Sequence, residues 1–360
     1  MEKFAFVIHP ISAKRDISRK FPFAKALPES WIEFALRYKS PMEVSHITGL
    51  KSIAGPEAEG WLVGCPLSPK LMLSLPIEEV WKKILATVKL AEDHGAKIVG
   101  LGAFTSVVGD GGVTVAKHSN IAVTTGNSYT IATAIEGSLK GAEMMGIDPS
   151  AAHVAVVGAT GSIGKTCAQV LAKTAGSITL VGRVKDRLED IAKQISTDAK
   201  GTVGSTIDVE SGIKDADIVV TVSSAVDAII EPQFIKSGAV VCDVARPRDV
   251  SVKVQRERDD VLIIEGGVIE PPGDVNFGFN FGFPPKTAYA CMSETMMLAL
   301  DGRYECFTLG KEVSVEQVEE ISRIAKKHGF KLAGFRSFEK AVTEEQIAQI
   351  KKNAGRKKMI

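Results

Sequence analysis

A cysteine near the start of a predicted helix is the first residue of this chain that could perform covalent chemistry. It is Cys291, in the stretch KTAYACMSETMMLAL at residues 286–300. Most buried cysteines are small apolar residues of a protein core. A cysteine near a helix N-terminus, with a lysine such as Lys286 close by, can instead ionise and attack a carbonyl carbon. The local sequence favours neither role over the other.

The other four cysteines are weaker candidates for the same role. Cys65 ends a predicted strand just before a proline and is the second candidate nucleophile. Cys167 lies inside a predicted helix and Cys242 inside a predicted strand, so both are expected in the core. Cys306 has no supporting context.

A glycine-rich loop is the second feature with chemical potential. In VVGATGSIGK, three glycines follow the GxxGxxG spacing, after a predicted buried strand and before a predicted helix. Glycines allow a tight turn and let the backbone approach a pyrophosphate, which the N–H groups at the helix start then bind. The alternative is a glycine-rich turn without a ligand. We expect a dinucleotide site that includes the following residues of this glycine loop: Gly158, Thr160, Gly161, Ser162, Ile163 and Gly164.

Two arginines follow the next predicted strand, ITLVG at residues 178–182. A site for NAD has an acidic residue near the end of this strand, which binds the ribose 2′-hydroxyl. Here Arg183 stands at that place, and Arg187 follows one helical turn later. An arginine can bind a 2′-phosphate through its planar guanidinium group. We therefore expect the cofactor to be NADP, used as NADPH, although Arg187 can equally be a solvated helix residue.

Composition and charge argue against several other classes of protein. The 360 residues include 44 Lys and Arg and 43 Asp and Glu, so no overall field attracts nucleic acid. Five cysteines without close spacing argue against a disulfide framework and a CxxC zinc site. Six scattered histidines show no metal-ligand spacing, so no metal is expected. Neither a signal peptide nor the ~18 apolar residues of an integral membrane segment are recognised, and a cytoplasmic location is expected.

The elements that must position these residues alternate between strands and helices. From residue 153 onward, apolar strands are predicted at HVAVVG, ITLVG, DIVVTVSS, AVVCDVA and VLIIEGG, with helical or polar stretches between them. Such alternation is typical of βαβ units with a parallel sheet. We therefore predict an α/β fold with a doubly wound, Rossmann-type NADP-binding domain at residues 149–270.

A second α/β unit is expected on the N-terminal side of this domain. Strands are predicted at FAFVIH (4–9), GWLVGC (60–65), KIVGLGAF (97–104) and NIAVTTG (120–126). An amphipathic helix is predicted at 77–95 and a long linker helix at 128–148. Residues 1–148 are thus expected to form a substrate domain with its linker helix. Residues 271–360 are expected to hold a return loop, the Cys291 helix and C-terminal helices around 313–328 and 343–353, before a solvated or disordered tail at 351–360.

Several motifs together resemble one known family. They are FAFVIHP with DISRKF, HGAKIVGLGAFTSVV (94–108), VTTGNSYT (123–130), GID with VAVVGATGSIG, GGVIE (266–270) and ACMSETMMLALDG (290–302). Over most of its length the chain resembles the long-chain acyl-[acyl-carrier-protein] reductases of cyanobacteria, which make fatty aldehydes from acyl thioesters. In that family the cysteine of the last motif carries the acyl group as a thioester, so the resemblance assigns this role to Cys291. It also implies an acyl carrier protein or CoA thioester as substrate and a downstream enzyme that consumes the aldehyde.

The chemistry implied by this resemblance has two steps. The Cys291 thiolate attacks an acyl thioester and releases the carrier thiol, and the acyl group is then reduced with hydride from NADPH and leaves as an aldehyde. Both tetrahedral intermediates need a group that stabilises the oxyanion. The GNSYT turn, where Asn127 and Ser128 open the linker helix, is the candidate for this role. The alternative for Ser128 is that it only caps the helix.

Three other functions stay open. The stretch DVARPRDV (243–250) resembles the corresponding part of glutamyl-tRNA reductases, which reduce an acyl group held on a cysteine near their N-terminus. Such an enzyme needs a basic RNA-binding surface, which the near-zero net charge does not indicate. A shikimate-dehydrogenase-like enzyme would use Lys and Asp on a small hydroxyl substrate and would have no role for Cys291. A non-catalytic NADP-sensing protein would bind the cofactor without turnover.

Overall fold

The computed structural model describes residues 1–223, 225, 227–245, 247–280 and 284–357. These residues group into two compact units. The first unit comprises Met1–Tyr129, Ile269–Glu312 and Glu319–Lys331; the second comprises Thr130–Val268, Val313–Val318 and the chain from Leu332 onward. Residues 130–148, expected in the N-terminal domain, group with the second unit. Residues 271–360 are shared between the two units.

The N-terminal part of the chain alternates between strands and helices, as expected. Its elements are β1 (Glu2–Ile8), α1 (Ala13–Lys20), α2 (Glu29–Tyr38), β2 (Met42–Lys51), β3 (Glu57–Gly64), α3 (Pro69–Ser74), α4 (Ile77–Asp93), β4 (Ile98–Leu101), α5 (Val113–Lys117), β5 (Ala122–Thr124) and α6 (Asn127–Met145). The sequence does not predict β2, because its residues MEVSHITGLK are polar at many positions and largely exposed.

The middle of the chain supplies the elements of the second unit. They are β6 (His153–Val157), α7 (Ser162–Ala172), β7 (Ser177–Val181), α8 (Lys185–Ile195), β8 (Thr202–Thr206), α9 (Val209–Ile213), β9 (Ile218–Thr221), β10 (Val240–Asp243), α10 (Val252–Glu257) and β11 (Leu262–Glu265). The sequence does not predict β8, whose residues TVGST are mostly exposed and lack the apolar run of a buried strand.

The C-terminal part begins with short strands and ends in a helix. Its elements are β12 (Val268–Glu270), β13 (Gly273–Asn276), β14 (Ala288–Tyr289), α11 (Ala290–Leu300), α12 (Val315–His328), β15 (Lys331–Leu332), β16 (Phe335–Ser337), β17 (Lys340–Val342) and α13 (Glu344–Lys357). The predicted solvated or disordered tail from residue 351 is helical up to residue 357, because α13 continues; most of its side chains are exposed, as a solvated segment requires, but Ala354 is buried. Residues 358–360, and residues 281–283 of the predicted return loop, lie outside the described residues.

A six-stranded sheet forms the centre of the first unit, in the order β13-β2-β3-β1-β4-β5. Strands β3, β1, β4 and β5 are parallel, while β2 and β13 add antiparallel pairs at one edge. After β1 the chain forms β2 and β3 on one side of that strand, and it then crosses to form β4 and β5 on the other side. The carboxyl ends of β1 and β4 therefore form a topological switch point. Open α/β sheets bind ligands at such a point.

Helix α11 packs across β1, β3 and β4 of this sheet. A Cβ atom at Gly100 of β4 would lie 2.1 Å from Oγ1 of Thr295 in α11, so a glycine in the strand makes room for the helix. In this position on the sheet, ten of the eleven residues of α11 are buried. The fold therefore fixes α11 firmly on the sheet.

The second unit contains a parallel six-stranded sheet in the order β11-β10-β9-β6-β7-β8. Read from β8, this is the strand order of a doubly wound dinucleotide-binding domain. Apolar residues of β9, β10 and β11 are buried throughout, as expected for strands covered on both faces. The predicted α/β fold with a Rossmann-type domain is confirmed. None of the helices in the described part of the chain has the length and apolar character that a bilayer crossing requires.

Candidate active site

Cys291 occupies the second position of α11. Every other residue of this helix is buried, whereas Cys291 keeps part of its surface exposed. A core role predicts burial like that of its neighbours in the helix. Partial exposure near a helix start instead suits a cysteine that reacts with a substrate.

The backbone of Gly126, just after β5, lies directly against Cys291. A Cβ atom at position 126 would stand 2.3 Å from the Cα atom and 2.4 Å from the Cβ atom of Cys291. Gly126 also has a φ of +74°, a conformation that other residues rarely adopt. Because α6 begins at the next residue, Asn127, the N-termini of α6 and α11 meet at Cys291. Helix N-termini favour negative charge, so this position suits a thiolate and the oxyanion of an acyl intermediate.

The carboxyl group of Glu294, one turn beyond Cys291, holds these two helix starts together. Glu294 is fully buried. Its Oε2 atom accepts hydrogen bonds from the Ser128 hydroxyl at 2.6 Å and the Tyr129 backbone N–H at 3.0 Å. Its Oε1 atom accepts hydrogen bonds from the hydroxyls of Thr124 at 2.6 Å and Thr308 at 2.9 Å. These four bonds fix the first turn of α6 and the end of β5 against α11.

Asn127 supplies a polar side chain beside this junction. Only 6% of the surface of Asn127 is accessible to solvent. The structure shows no hydrogen bond between its side-chain amide and any other described residue. An amide next to Gly126 that has no partner among the described residues is a candidate donor to a ligand. The sequence pointed to this residue through the GNSYT turn.

Ser128, the other candidate in that turn, has a different setting. Its side chain is fully buried, and its hydroxyl donates to Glu294 rather than pointing to a free surface. It is the second residue of α6, one position inside the helix, so it is not the residue that precedes and caps it. Its surroundings favour a role in positioning the start of α6.

Lys286 and the remaining cysteines fit the candidate site less well. The Lys286 ammonium pairs with the Asp274 carboxylate at 2.5 Å, so its charge has a partner of its own. Burial raises the pKa of the Cys65 thiol to about 11, which leaves it protonated at neutral pH. Burial likewise raises the pKa of Cys167. Cys306 is exposed, and its sulfur accepts a hydrogen bond from the Val123 backbone N–H at 3.4 Å.

His9 lies at the switch point of the first sheet, where the sequence alone gave no reason to place a site residue. It follows the end of β1, and its Nε2 atom accepts a hydrogen bond from the backbone N–H of Phe104, just beyond β4, at 2.9 Å. Burial lowers the pKa of His9 to about 4. Ala103, next to Phe104, has a strained φ of +47°. The two strand ends are thus joined by a neutral imidazole.

The glycine loop of the second unit has the geometry of a pyrophosphate site. Gly158 has a φ of +85°, and a Cβ atom at Gly164 would lie 2.3 Å from the carbonyl oxygen of Gly158. Both glycines are therefore required by the loop itself. Gly161 has an ordinary φ of −81°, and a Cβ atom there would meet its nearest neighbour only at 3.4 Å. The protein itself therefore leaves open space beside position 161 at the start of α7.

The other residues predicted for this site lie around the same loop. Thr160 stands in the turn, and Ser162 and Ile163 are the first two residues of α7. A Cβ atom at Gly182, after β7, would lie 3.3 Å from Cγ2 of Thr160. Arg183 follows Gly182 and Arg187 lies in the first turn of α8, both exposed. The structure thus places Arg183 close to the glycine loop, at the strand end where a dinucleotide ribose binds in this fold.

Two buried aspartates shape the neighbouring strand ends, a feature that sequence reasoning missed. Asp249 accepts hydrogen bonds from the Ser223 hydroxyl at 2.5 Å and the Ser223 backbone N–H at 2.9 Å. Asp243 accepts a hydrogen bond from the Val250 backbone N–H at 3.0 Å. Both belong to the stretch DVARPRDV, in which position 246 lies outside the described residues. The repeated Asp in this stretch is the signal that could have pointed to a carboxylate-braced loop.

The first similarity to known proteins concerns the cofactor domain. The profile of the shikimate / quinate 5-dehydrogenase family matches residues 141–264. This range lies in the second unit and contains the glycine loop and both arginines, but not Cys291. Among solved structures, glutamyl-tRNA reductase from Methanopyrus kandleri is similar, with a TM-score of 0.32 and 17% identity over 63% of this chain and 43% of that chain.

Two relatives extend over most of the chain. The aminotransferase PigE of Serratia sp. (strain ATCC 39006) is 29% identical over 97% of this chain and 42% of its own length. The long-chain acyl-[acyl-carrier-protein] reductase of Synechococcus elongatus is 26% identical over 88% of this chain and 94% of its own length. The chain therefore spans less than half of PigE. With the Rossmann strand order and the family match, the second unit is an NADP(H)-binding domain, and the chain has the fold of an NADP(H)-dependent oxidoreductase.

Proposed function

We propose that this protein reduces a fatty acyl thioester to a fatty aldehyde with NADPH, through an acyl group carried on Cys291. The observation that carries this proposal is the position of Cys291, partly exposed on an otherwise buried helix where two helix N-termini meet. The similarity to the acyl-[acyl-carrier-protein] reductase, which extends over most of both chains, supports it. The first unit is then the substrate unit.

The first step is formation of the acyl enzyme. The Cys291 thiolate attacks the carbonyl carbon of the thioester, and the tetrahedral intermediate collapses with loss of the carrier thiolate. The start of α6 lies beside Cys291 through Gly126, so the positive end of this helix dipole would stabilise the oxygen that becomes negative. The Asn127 amide is the side-chain donor for that oxygen.

The second step returns the cysteine to its starting state. When bound, NADPH would supply the hydride that reduces the acyl carbon. The Cys291 sulfur then leaves as a thiolate, because a thiolate is a better leaving group than an alkoxide. The same donors serve this second oxyanion in the proposed scheme, because the acyl group stays attached to Cys291 between the two steps.

In this scheme Glu294 and Ser128 position other residues and do not contact the substrate. Their hydrogen bond, together with those of Thr124 and Thr308, fixes the first turn of α6 beside Cys291. A buried group with four donors around it has no capacity left for substrate. We therefore assign both residues to the alignment of Asn127 with Cys291.

The glycine loop and Arg183 would hold NADPH. The open space at Gly161 admits the pyrophosphate to the start of α7, and Arg183 would bind the 2′-phosphate that distinguishes NADPH from NADH. Arg187 is the second basic residue near this position. A family match to shikimate / quinate 5-dehydrogenase keeps oxidation of a small hydroxyl substrate as the alternative function.

An aldehyde-consuming reaction fits the relationship to PigE. That relative is named an aminotransferase, and this chain corresponds to less than half of it. Aldehydes are converted to amines by transamination. We propose that an aminotransferase is one consumer of the aldehyde. The source of the acyl group is, in the same proposal, a carrier-protein or CoA thioester.

The decisive experiment separates acyl transfer from reduction. The protein is incubated with acyl-carrier-protein and acyl-CoA thioesters, first without and then with NADPH, while intact mass and aldehyde are measured. We expect a gain of one acyl group without NADPH and aldehyde with it. Cys291→Ala should lose both, and the control Cys306→Ala should keep both.

Other results would point elsewhere. An adduct mapped to Cys65 would move the nucleophile. Reduction or oxidation of a small hydroxyl or keto acid, undiminished in Cys291→Ala, would favour the dehydrogenase alternative. NADPH binding without turnover of any substrate would indicate a sensing role.

A further inference from the structure

Helix α2 and the turn before it present four large aromatic side chains to solvent. Trp31, Phe34 and Tyr38 are each 67% exposed, and Phe23 in the preceding turn is 69% exposed. The three residues of α2 follow the i, i+3, i+7 spacing, so they lie on one face of the helix. The rings of Phe34 and Tyr38 are 5.2 Å apart. These four residues form what we call the aromatic face.

The opposite side of α2 holds this face outward. Ile32 and Leu36 are buried together with Ala13 and Ala24. Glu33 forms an ion pair with Lys70 at 2.9 Å, which adds a link to α3. Because the inner side of the helix is packed, the aromatic residues cannot turn inward without unpacking this small core. The exposed aromatic face is therefore a stable feature of the fold.

The charge around the aromatic face is basic. Lys14, Lys25 and Lys39 are exposed, and none forms an ion pair or side-chain hydrogen bond with a described residue. The acidic residues of the same segment already have partners. Asp16 binds the arginines beside it and the Ile11 backbone N–H.

Glu29 and Glu33 complete this pattern. Glu29 accepts a hydrogen bond from the backbone N–H of Lys14 at 3.3 Å, and Glu33 is paired with Lys70. Within residues 13–40, the charged side chains that have no ion-pair or hydrogen-bond partner among the described residues are those of the three lysines. The surface that covers this face must therefore be apolar at its centre and negative around it.

We propose that the aromatic face docks onto a membrane surface that contains anionic lipid. Tryptophan, tyrosine and phenylalanine beside lysine are the composition of segments that lie in the membrane interface. A symmetric contact with a second copy would place these lysines near their own equivalents, and like charges repel. The proposal goes beyond the proposed function and does not depend on it.

Vesicle binding tests the proposal directly. The full chain is sedimented with vesicles of phosphatidylcholine alone or of phosphatidylcholine with phosphatidylglycerol. We expect sedimentation mainly with the anionic vesicles, and less at high salt. Trp31 emission should shift to shorter wavelength on binding, because its indole leaves water. In Trp31→Phe this shift should be lost while vesicle binding stays.

Matched variants separate the aromatic face from exposed apolar residues in general. Trp31→Ser with Phe34→Ser should weaken binding to anionic vesicles about tenfold or more. The control Ile53→Ser with Ile207→Ser removes residues that are 75% and 58% exposed elsewhere, and it should bind like the parent. Lys14, Lys25 and Lys39 changed to Gln should weaken binding, whereas Lys311, Lys340 and Lys352 changed to Gln should not.

Three outcomes would overturn the proposal. Equal vesicle binding by parent and both serine variants would remove the aromatic face from the contact. Absence of anionic-vesicle binding, with self-association in sedimentation velocity that Trp31→Ser abolishes, would make the face a contact between copies. Absence of vesicle binding, with Trp31-dependent binding to acyl carrier protein, would make it a protein-docking surface.

Discussion

The backbone of Gly126 lies so close to Cys291 that a Cβ atom at position 126 would stand 2.3 Å from the Cα atom of Cys291. The second residue after β5 and the second residue of α11 are therefore in close contact. This contact brings the start of α6 to the candidate nucleophile, and it explains why position 126 is a glycine.

Replacing Gly126 with alanine should strain the backbone and also displace Cys291. A left-handed φ costs a non-glycine residue about 1–2 kcal/mol, and the clash with Cys291 adds to this. We expect Gly126→Ala to lower the free energy of unfolding by more than about 2 kcal/mol. It should also change the rate at which iodoacetamide alkylates Cys291. Denaturant titration and mass spectrometry measure the two effects.

Gly302 provides the matched control for this prediction. Its φ is +68°, yet no heavy atom would lie within 4 Å of a Cβ atom there. Gly302→Ala should therefore lose only about 1 kcal/mol and leave the alkylation rate of Cys291 unchanged. Equal losses in the two alanine variants would contradict a role for the Gly126 contact.

Replacing Glu294 with alanine should leave four buried donors without their acceptor. Unsatisfied buried groups are costly, so we expect a loss of about 3 kcal/mol or more in the free energy of unfolding. In the fraction that folds, aldehyde formation should fall mainly through kcat, because Asn127 is no longer aligned. Glu294→Gln keeps one acceptor oxygen, so its free energy of unfolding and its kcat should lie between those of the parent and of Glu294→Ala. The exposed Glu319→Ala serves as control, and parent-like kcat in Glu294→Gln and Glu294→Ala would remove Glu294 from the alignment of the site.

The glycines of the cofactor loop should respond differently to alanine. Gly161→Ala has an ordinary φ and free space, so it should fold with nearly parental stability but bind NADPH about tenfold or more weakly. Gly164→Ala would place a Cβ atom 2.3 Å from the Gly158 carbonyl oxygen and should lose stability even without cofactor. Calorimetric titration and thermal unfolding distinguish the two. Unchanged NADPH affinity in folded Gly161→Ala would place the pyrophosphate elsewhere.

Arg183 should determine the preference for NADPH over NADH. Loss of a charge-assisted hydrogen bond costs about 1.5–3 kcal/mol, which corresponds to roughly ten- to hundredfold in affinity. We expect Arg183→Ala to weaken NADPH binding by this factor and NADH binding little. The same change at Arg187 is the comparison, with a smaller effect expected. Equal weakening of both cofactors by Arg183→Ala would show that it does not contact the 2′-phosphate.

The buried His9 should make stability depend on pH in the acidic range. Its pKa is lowered from 6.5 in the unfolded chain to about 4 in the folded protein. Between these values the unfolded state binds more protons, so the free energy of unfolding should fall as pH falls from about 6.5 to about 4. Urea unfolding across this range measures the slope, which should be smaller in His9→Gln. His118→Gln, a change at an exposed histidine, should keep the parental slope; identical slopes in all three proteins would exclude His9 as the source.

The cofactor domain was the part of the fold most accessible to sequence reasoning. Its strands are buried on both faces and therefore appear as continuous apolar runs, and the glycine loop is one unbroken segment between β6 and α7. Strands β2 and β8 escaped prediction because their residues are partly exposed and polar. The end of α13 escaped because a lysine-rich sequence gives no sign of where its helix stops.

The sequence alone predicted a Rossmann-type domain and selected Cys291 and Asn127 as candidates, because those signals lie in short contiguous stretches. Only the tertiary structure decided that Gly126 touches Cys291 and that the Ser128 hydroxyl is bound by Glu294, 166 residues away along the chain. Hydrogen bonds between residues so distant leave no periodic trace in a single sequence. They form because packing of α11 on the first sheet buries Glu294 beside the end of β5, where a buried carboxyl group must find donors.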